Sequence, residues 1–199
     1  MNNQIDASKR RFLTAATSVV GGVGVAAVAV PFVASMLPSA KAKAAGAPVE
    51  VDISKLEVGQ LIRPEWRGKP VWVFRRSPEV LDNLASQTDM LRDPNSDVTE
   101  QQPDYSKNAT RSIRDEIGVL VGICTHLGCS PTYRPELSPE DLGPDWKGGF
   151  FCPCHGSKFD LAGRVYSGVP APINLVVPPH YFLDDNHILI GEDAPKGAA

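Results

Sequence analysis

The residues able to do chemistry gather in two short stretches. All four cysteines lie in Cys124-Thr125-His126-Leu127-Gly128-Cys129 and Cys152-Pro153-Cys154-His155-Gly156-Ser157, and each stretch also holds one histidine. Six soft or borderline donors on two glycine-containing turns, each turn following an apolar run, suit a metal centre gripped between two loops. Gly128 and Gly156 supply the backbone freedom such tight curvature needs. The residues alone leave three readings open: a zinc site with Cys2His2 ligation, two disulfides with incidental histidines, or a cluster held by two cysteines and two histidines. Zinc is served by the spacings Cys-x-His and Cys-x-x-His. A thioredoxin-like site fits poorly, because Cys152-Pro153-Cys154 has one residue too few between the thiols.

Something must position these loops. Short alternating or apolar runs at residues 49–53, 70–74, 119–123, 149–151, 175–177 and 181–190 predict strands, with Asp184-Asp185-Asn186 turning the last into a hairpin. One helix is expected where Ser77 can cap, Pro78 fits the first turn, and Val80, Leu81 and Leu84 share a face. Residues 92–108 and 131–147 are polar and proline-containing and read as loops. The fold class expected is mainly β, an antiparallel head carrying two cluster-binding loops, with one N-terminal transmembrane helix. A chain of 199 residues with 42% hydrophobic content accommodates one packed domain and an accessory segment. Trp66, Trp72 and Trp146 are expected to be packing residues, and His180 and His187 to lie on the surface.

Residues 12–40 contain no charge, a run longer than the roughly 20 residues a helix needs to cross a bilayer. Lys9, Arg10 and Arg11 precede it, which by the positive-inside rule puts the N-terminus in the cytoplasm and the head on the far side. Ser8-Lys9-Arg10-Arg11-Phe12-Leu13 resembles the twin-arginine export signal, with Lys9-Arg10 in the twin positions. A cleaved signal is the competing reading, since Ala40-Lys41-Ala42 fits a small-residue cleavage pattern, but the apolar run is longer than a signal-peptide core. The expected division is a tail at 1–11, a transmembrane anchor at 12–37, a flexible hinge of small residues at 38–48, and a head at 49–199. The first 46 residues hold five basic residues against one acidic, leaving 15 against 22 beyond. An acidic head argues against nucleic-acid binding and is compatible with docking on a basic protein, or with a solvated surface that aids solubility.

The motif pair Cys-Thr-His-Leu-Gly-Cys and Cys-Pro-Cys-His-Gly-Ser resembles that of the quinol-oxidising branch of the Rieske iron-sulfur family. The resemblance takes in the anchor, the small-residue hinge, the β-rich head and Gly168-Val169-Pro170-Ala171-Pro172, which is similar to the family's proline loop shielding the cluster. It implies a [2Fe-2S] cluster with Cys124 and Cys152 on one iron and His126 and His155 on the other, and a disulfide between Cys129 and Cys154. By the same resemblance, His155 hydrogen-bonds the quinol and accepts its proton, Leu127 covers the cluster beside the quinone pocket, and Ser157 donates its hydroxyl to a bridging sulfide. Ordinary packing for Leu127 and capping of its own turn for Ser157 are the plainer alternatives. Partners implied are ubiquinol, a cytochrome b subunit and a cytochrome c-type subunit, in a dimeric complex of a bacterial inner membrane with the head in the periplasm. A small Rieske subunit of another periplasmic oxidase, such as an arsenite oxidase, and a structural zinc protein are the alternatives. An oxygenase would need a further mononuclear iron on an additional domain, for which the chain has no room. One departure stands out: many members of this branch have tyrosine two residues after that serine, where this chain has Phe159.

Overall fold

The computed structural model describes residues 6–195 and divides the chain into two compact units, which meet in sequence between Ala44 and Ala45. The first contains α1 (Ala7–Ser35), begun by Asp6, whose carboxylate accepts the Ser8 and Lys9 amides at 3.0 and 3.2 Å. Its 29 residues span about 43 Å at 1.5 Å per residue, enough for a hydrocarbon core of about 30 Å. None of its residues is buried, although Phe12, Val20, Val28 and Phe32 are large and apolar. The helix runs five residues upstream of the anchor expected at 12–37 and ends two before it, because the basic residues continue the helix instead of ending it. Within the expected hinge, α2 (Ala40–Ala45) is helical, since Ser39 caps it by accepting the Ala42 amide at 3.1 Å and alanine favours helix.

The second unit is antiparallel β. In chain order its elements are β1 (Val49–Asp52), β2 (Leu61–Ile62), β3 (Glu65–Trp66), β4 (Lys69–Arg75), α3 (Pro78–Ser86), β5 (Ile117–Val121), β6 (Thr132–Arg134), β7 (Gly149–Cys152), β8 (Ser157–Asp160), β9 (His180–Phe182) and β10 (His187–Ile190). They form a sheet ordered β1-β10-β9, a second ordered β2-β4-β3 with β5 also paired to β4, and a third ordered β6-β7-β8. Strands β4 and β5 have a core on each face. Val71, Val73, Ile117 and Val119 pack with Val51, Ile188 and Ile190, while Trp72, Phe74 and Leu120 pack with Phe150, Phe159, Cys124 and Cys152. Alternation along a strand sends successive side chains to opposite faces, so one pair of strands anchors both halves of the head. Trp72 stacks on Phe150 of β7 at 4.4 Å between centroids. Gly118 and Gly122 make room for this layer, because a Cβ at either would run into the Phe74 or Trp72 ring.

α3 forms as expected: the Ser77 hydroxyl accepts the Val80 amide at 3.2 Å, Pro78 starts the helix, and Leu84 is buried with Val80 and Leu81 against the same core. Trp66, Trp72 and Trp146 are all buried. Three expectations fail. Residues 175–177 are not a strand: Leu175 and Val177 are buried, but their amides donate to Gly163 and Gln101, on separate segments, so no ladder builds. Residues 131–147 are not all loop, since Thr132–Arg134 pairs with β7. His180 is not on the surface. It is 1% exposed, with Nδ1 bonded to the Pro178 carbonyl at 2.8 Å, and burial pulls its pKa below the usual value.

Three buried guanidiniums grip the turn after β8. Arg76 donates to the Leu161 carbonyl, Arg111 to those of Ala162 and Gly163, and Arg164 pairs with Asp160 at 2.7 Å. Burial pushes Arg76 and Arg111 down to about 10, with Asp160 opposing it, so both stay charged at neutral pH. Arg76 and Arg111 are accommodated by carbonyls of the turn, and Arg164 by the Asp160 carboxylate and the Leu84 carbonyl.

Candidate metal centre

Residues 124–129 leave the end of β5, and residues 152–157 form the turn between β7 and β8. In the first loop the Cys124 amide donates to the Cys129 carbonyl at 2.7 Å, and the Gly128 amide donates back to Cys124 at 3.1 Å. In the second the Gly156 amide donates to the Cys152 carbonyl at 2.9 Å, and Cys152 faces Ser157 in the hairpin register. Gly128 and Gly156 both have positive φ, +84° and +77°, which lets each loop double back within one residue.

Cys129 and Cys154 form a disulfide that joins the loops. The sulfurs of Cys129, Cys152 and Cys154 lie within 4.8 Å of one another, but two of the three are already bonded together, so only Cys152 can offer a thiolate from that group. Cys124 and Cys152 are the free thiols, and both are buried. Burial pushes the Cys152 thiol up, helped by its hydrogen bond with Cys124. On the same two loops His126 is half-buried and His155 exposed, with ring centroids 4.7 Å apart. Leu127, at the tip, is 71% exposed. Burial that makes the Cys152 thiol costly to ionise on its own is offset once a cationic centre lies beside it, since the thiolate is the form that binds such a centre. That donor set fits a cluster with cysteines on one iron and histidines on the other.

Ser157 is fully buried, and its Oγ accepts the Ala171 amide at 3.0 Å instead of capping its own turn. The Thr125 hydroxyl donates to the Ile173 carbonyl at 2.6 Å, so the segment around residues 168–173 touches both loops. Thr125, Arg92 and the three buried arginines were not singled out by sequence reasoning. Nothing in their spacing marks them, because each acts on a main-chain carbonyl far away in sequence.

Comparison with known proteins separates iron-sulfur from zinc. A family described as "Rieske [2Fe-2S] domain" matches residues 52–179. The chain belongs to the Rieske iron-sulfur family. Residues 2–39 match a second family, described as "Ubiquitinol-cytochrome C reductase Fe-S subunit TAT signal". The chain is 67% identical to the ubiquinol-cytochrome c reductase iron-sulfur subunit of Allochromatium vinosum, over 98% of this chain and 93% of that one. It is 43% identical to the subunit of the same name from Blastochloris viridis, over 94% of each. Among solved structures it is similar to a chain of a hyperthermophilic respiratory Complex III, at 27% identity and a TM-score of 0.48, covering 88% of this chain and 98% of that one. This Rieske protein is membrane-anchored, and its cofactor is the family's [2Fe-2S] cluster.

Proposed function

We propose that this chain is the electron-transferring subunit of a quinol-cytochrome c oxidoreductase, and that His155 accepts the quinol's proton. The observation that carries this reading is the division of labour among the four cysteines: two joined across the loops, two free and buried, on loops whose two histidine rings lie 4.7 Å apart. Cys124 and Cys152 would hold one iron, and His126 and His155 the other. When bound, the [2Fe-2S] group supplies one-electron chemistry at a potential raised by its neutral imidazole ligands.

The chain's own residues do the rest. His155 is exposed, so the ring nitrogen not used for ligation can meet a quinol hydroxyl, orient it by a hydrogen bond and hold its proton. Leu127 adds an apolar surface beside it and keeps water from the approach. The disulfide keeps the two loops at a fixed separation while the edge between them stays open. Its partners on this reading are a cytochrome b subunit, a cytochrome c-type subunit and ubiquinol, in a dimeric complex, and the names of the relatives, iron-sulfur subunits of ubiquinol-cytochrome c reductase, support it. The basic residues before α1 support a cytoplasmic N-terminus and a periplasmic head, and the small-residue stretch at 38–48 serves as the tether between docking positions.

The test is iron and acid-labile sulfide analysis of the full-length protein, together with the electron paramagnetic resonance spectrum of its reduced form and quinol-cytochrome c reductase activity of the membranes that contain it. Two irons and two sulfides with a Rieske spectrum are expected. Zinc in place of iron would overturn the reading.

A further inference from the structure

Between Val169 and Ile173 the main chain has few donors, because Pro170 and Pro172 have no N–H. Ala171 supplies the amide between them, and it donates to Ser157 Oγ. The carbonyl of the same residue accepts from Arg92 Nη1 at 3.0 Å, and Arg92 Nη2 donates to the Val169 carbonyl at 3.1 Å. Ala171, fully buried, is thus held by both of its main-chain groups.

Arg92 is itself fixed, in a strap at residues 90–93. The Met90 carbonyl accepts the Ser167 amide at 2.8 Å, the Arg92 amide donates to Val165 at 2.9 Å, and the Asp93 carbonyl accepts from Asn174 at 3.0 Å. The strap therefore meets the chain on both sides of the proline loop, and the guanidinium bonds the loop's middle.

Ser157 is where this arrangement ends. A hydroxyl that accepts one hydrogen bond still has its proton to give, and among the described residues no protein group accepts it. Ser157 is fully buried and faces Cys152 in the hairpin, so an unsatisfied O–H there would be costly. A sulfur of the cluster beside Cys152 is the acceptor this geometry leaves.

We propose that Arg92 is a positioning residue for the redox centre: by clamping Ala171 it fixes the amide that orients the Ser157 hydroxyl toward a cluster sulfur. This rests on the reading of the two loops as the [2Fe-2S] site. Arg92 is exposed to solvent, so its charge is screened and its effect comes through geometry. Hydrogen bonds to the sulfurs favour the reduced, more negative cluster, and loosening one lowers the potential.

The experiment compares the full-length protein with Arg92→Gln, in the native and the Ser157→Ala backgrounds, by redox titration. Amide exchange at Ala171 is followed by mass spectrometry. In the native background Arg92→Gln should move the one-electron equilibrium threefold to tenfold toward oxidation, about 30 to 59 mV negative, and speed Ala171 exchange at least tenfold. In the Ser157→Ala background, where the Ala171 amide has already lost its acceptor, Arg92→Gln should leave the midpoint where Ser157→Ala alone puts it, and in the native background Arg92→Lys should restore part of the shift. An unchanged midpoint in the native background would overturn the proposal. So would an equal shift in both backgrounds, which would mean that the charge acts directly. If Arg92→Gln retains no cluster, Arg92→Lys is read in the same two backgrounds by the same criteria. Failure of the underlying site reading is recognised separately, by a native protein without a Rieske spectrum.

Discussion

Loops 124–129 and 152–157 carry the same inventory, two cysteines and one histidine each, on different scaffolds. The second closes a hairpin, with β7 and β8 paired from Gly149 opposite Asp160 to Cys152 opposite Ser157. The first leaves β5, paired with β4, and leads to β6, which is paired with β7, so its two ends belong to different sheets. A hairpin turn inherits its geometry from the ladder beneath it. A loop that crosses between sheets has to be pinned from outside, and here the pins are the disulfide and the Thr125 bond to Ile173. Equal donor sets therefore do not imply equal stability.

The largest effect should come from removing a ligand in either loop. Cys152→Ala or His155→Ala is expected to abolish the Rieske spectrum and quinol oxidation, each to below a hundredth of native in order of magnitude. An intact spectrum in either variant would mean the ligands are assigned wrongly. Next is the pin. Cys129→Ser opens a link across a sequence separation of 25, worth about 3.5 kcal/mol on a loop-entropy scale. Hydrogen exchange should rise mainly in residues 124–130 and little in 152–157; equal loosening of both would remove the contrast between the scaffolds. Thr125→Val keeps the shape but deletes the other pin, at about 1 kcal/mol, seen as a lower thermal midpoint with the ligands unchanged.

A smaller effect concerns the second loop's redox tuning. Phe159 is fully buried, in the same core as Cys124 and Cys152. Phe159→Tyr adds a hydroxyl donor at this position and should raise the midpoint by several tens of millivolts, given that about 1.4 kcal/mol is about 59 mV for one electron. A matching midpoint with full cluster occupancy would leave the ring as packing alone.

The smallest expected effect lies far from both loops, in the two lone histidines of the β9–β10 hairpin. Burial keeps His180 neutral in the folded state, so the stability it allows is present above about pH 6.5, its ordinary value, and is lost as the pH falls below that. His187 has the opposite sign. Asp184 raises its pKa, and its contribution is present below about pH 6.5 and fades as the pH climbs through the raised value. Thermal unfolding at pH 5.5 and 7.5 should show that His180→Gln reduces the loss on acidification; an unchanged pH dependence would mean that His180 is already hydrated.

How legible the protein was depended on the range of the signal. The two motifs were plain because ligand sets are local, and α1 was plain because a charge-free run of that length has few other uses. The helix after Ser77 was readable from a cap, a proline and three apolar positions within eight residues. By contrast, Thr132–Arg134 was hidden by the prolines around it, and residues 175–177 looked like a strand because burial and pairing leave the same apolar trace. His180 carried no mark of burial, since a histidine after two prolines reads the same on either side of a surface.

By itself, then, the sequence determined the donor atoms, their grouping on two turns, an antiparallel class and an apolar N-terminal helix, all of which follow from residue type and short-range spacing. The family resemblance implied that Cys129 and Cys154 pair while Cys124 and Cys152 stay free, as the tertiary structure has it, whereas residue spacing alone left the pairing open; only the tertiary structure decided that three guanidiniums are buried around one turn and that Arg92 reaches Ala171 across 79 positions of chain. Those arrangements are made by main-chain carbonyls, which every residue carries alike, and by sulfurs whose pairing depends on which loops the sheets bring together; neither leaves a mark on the spacing of side chains.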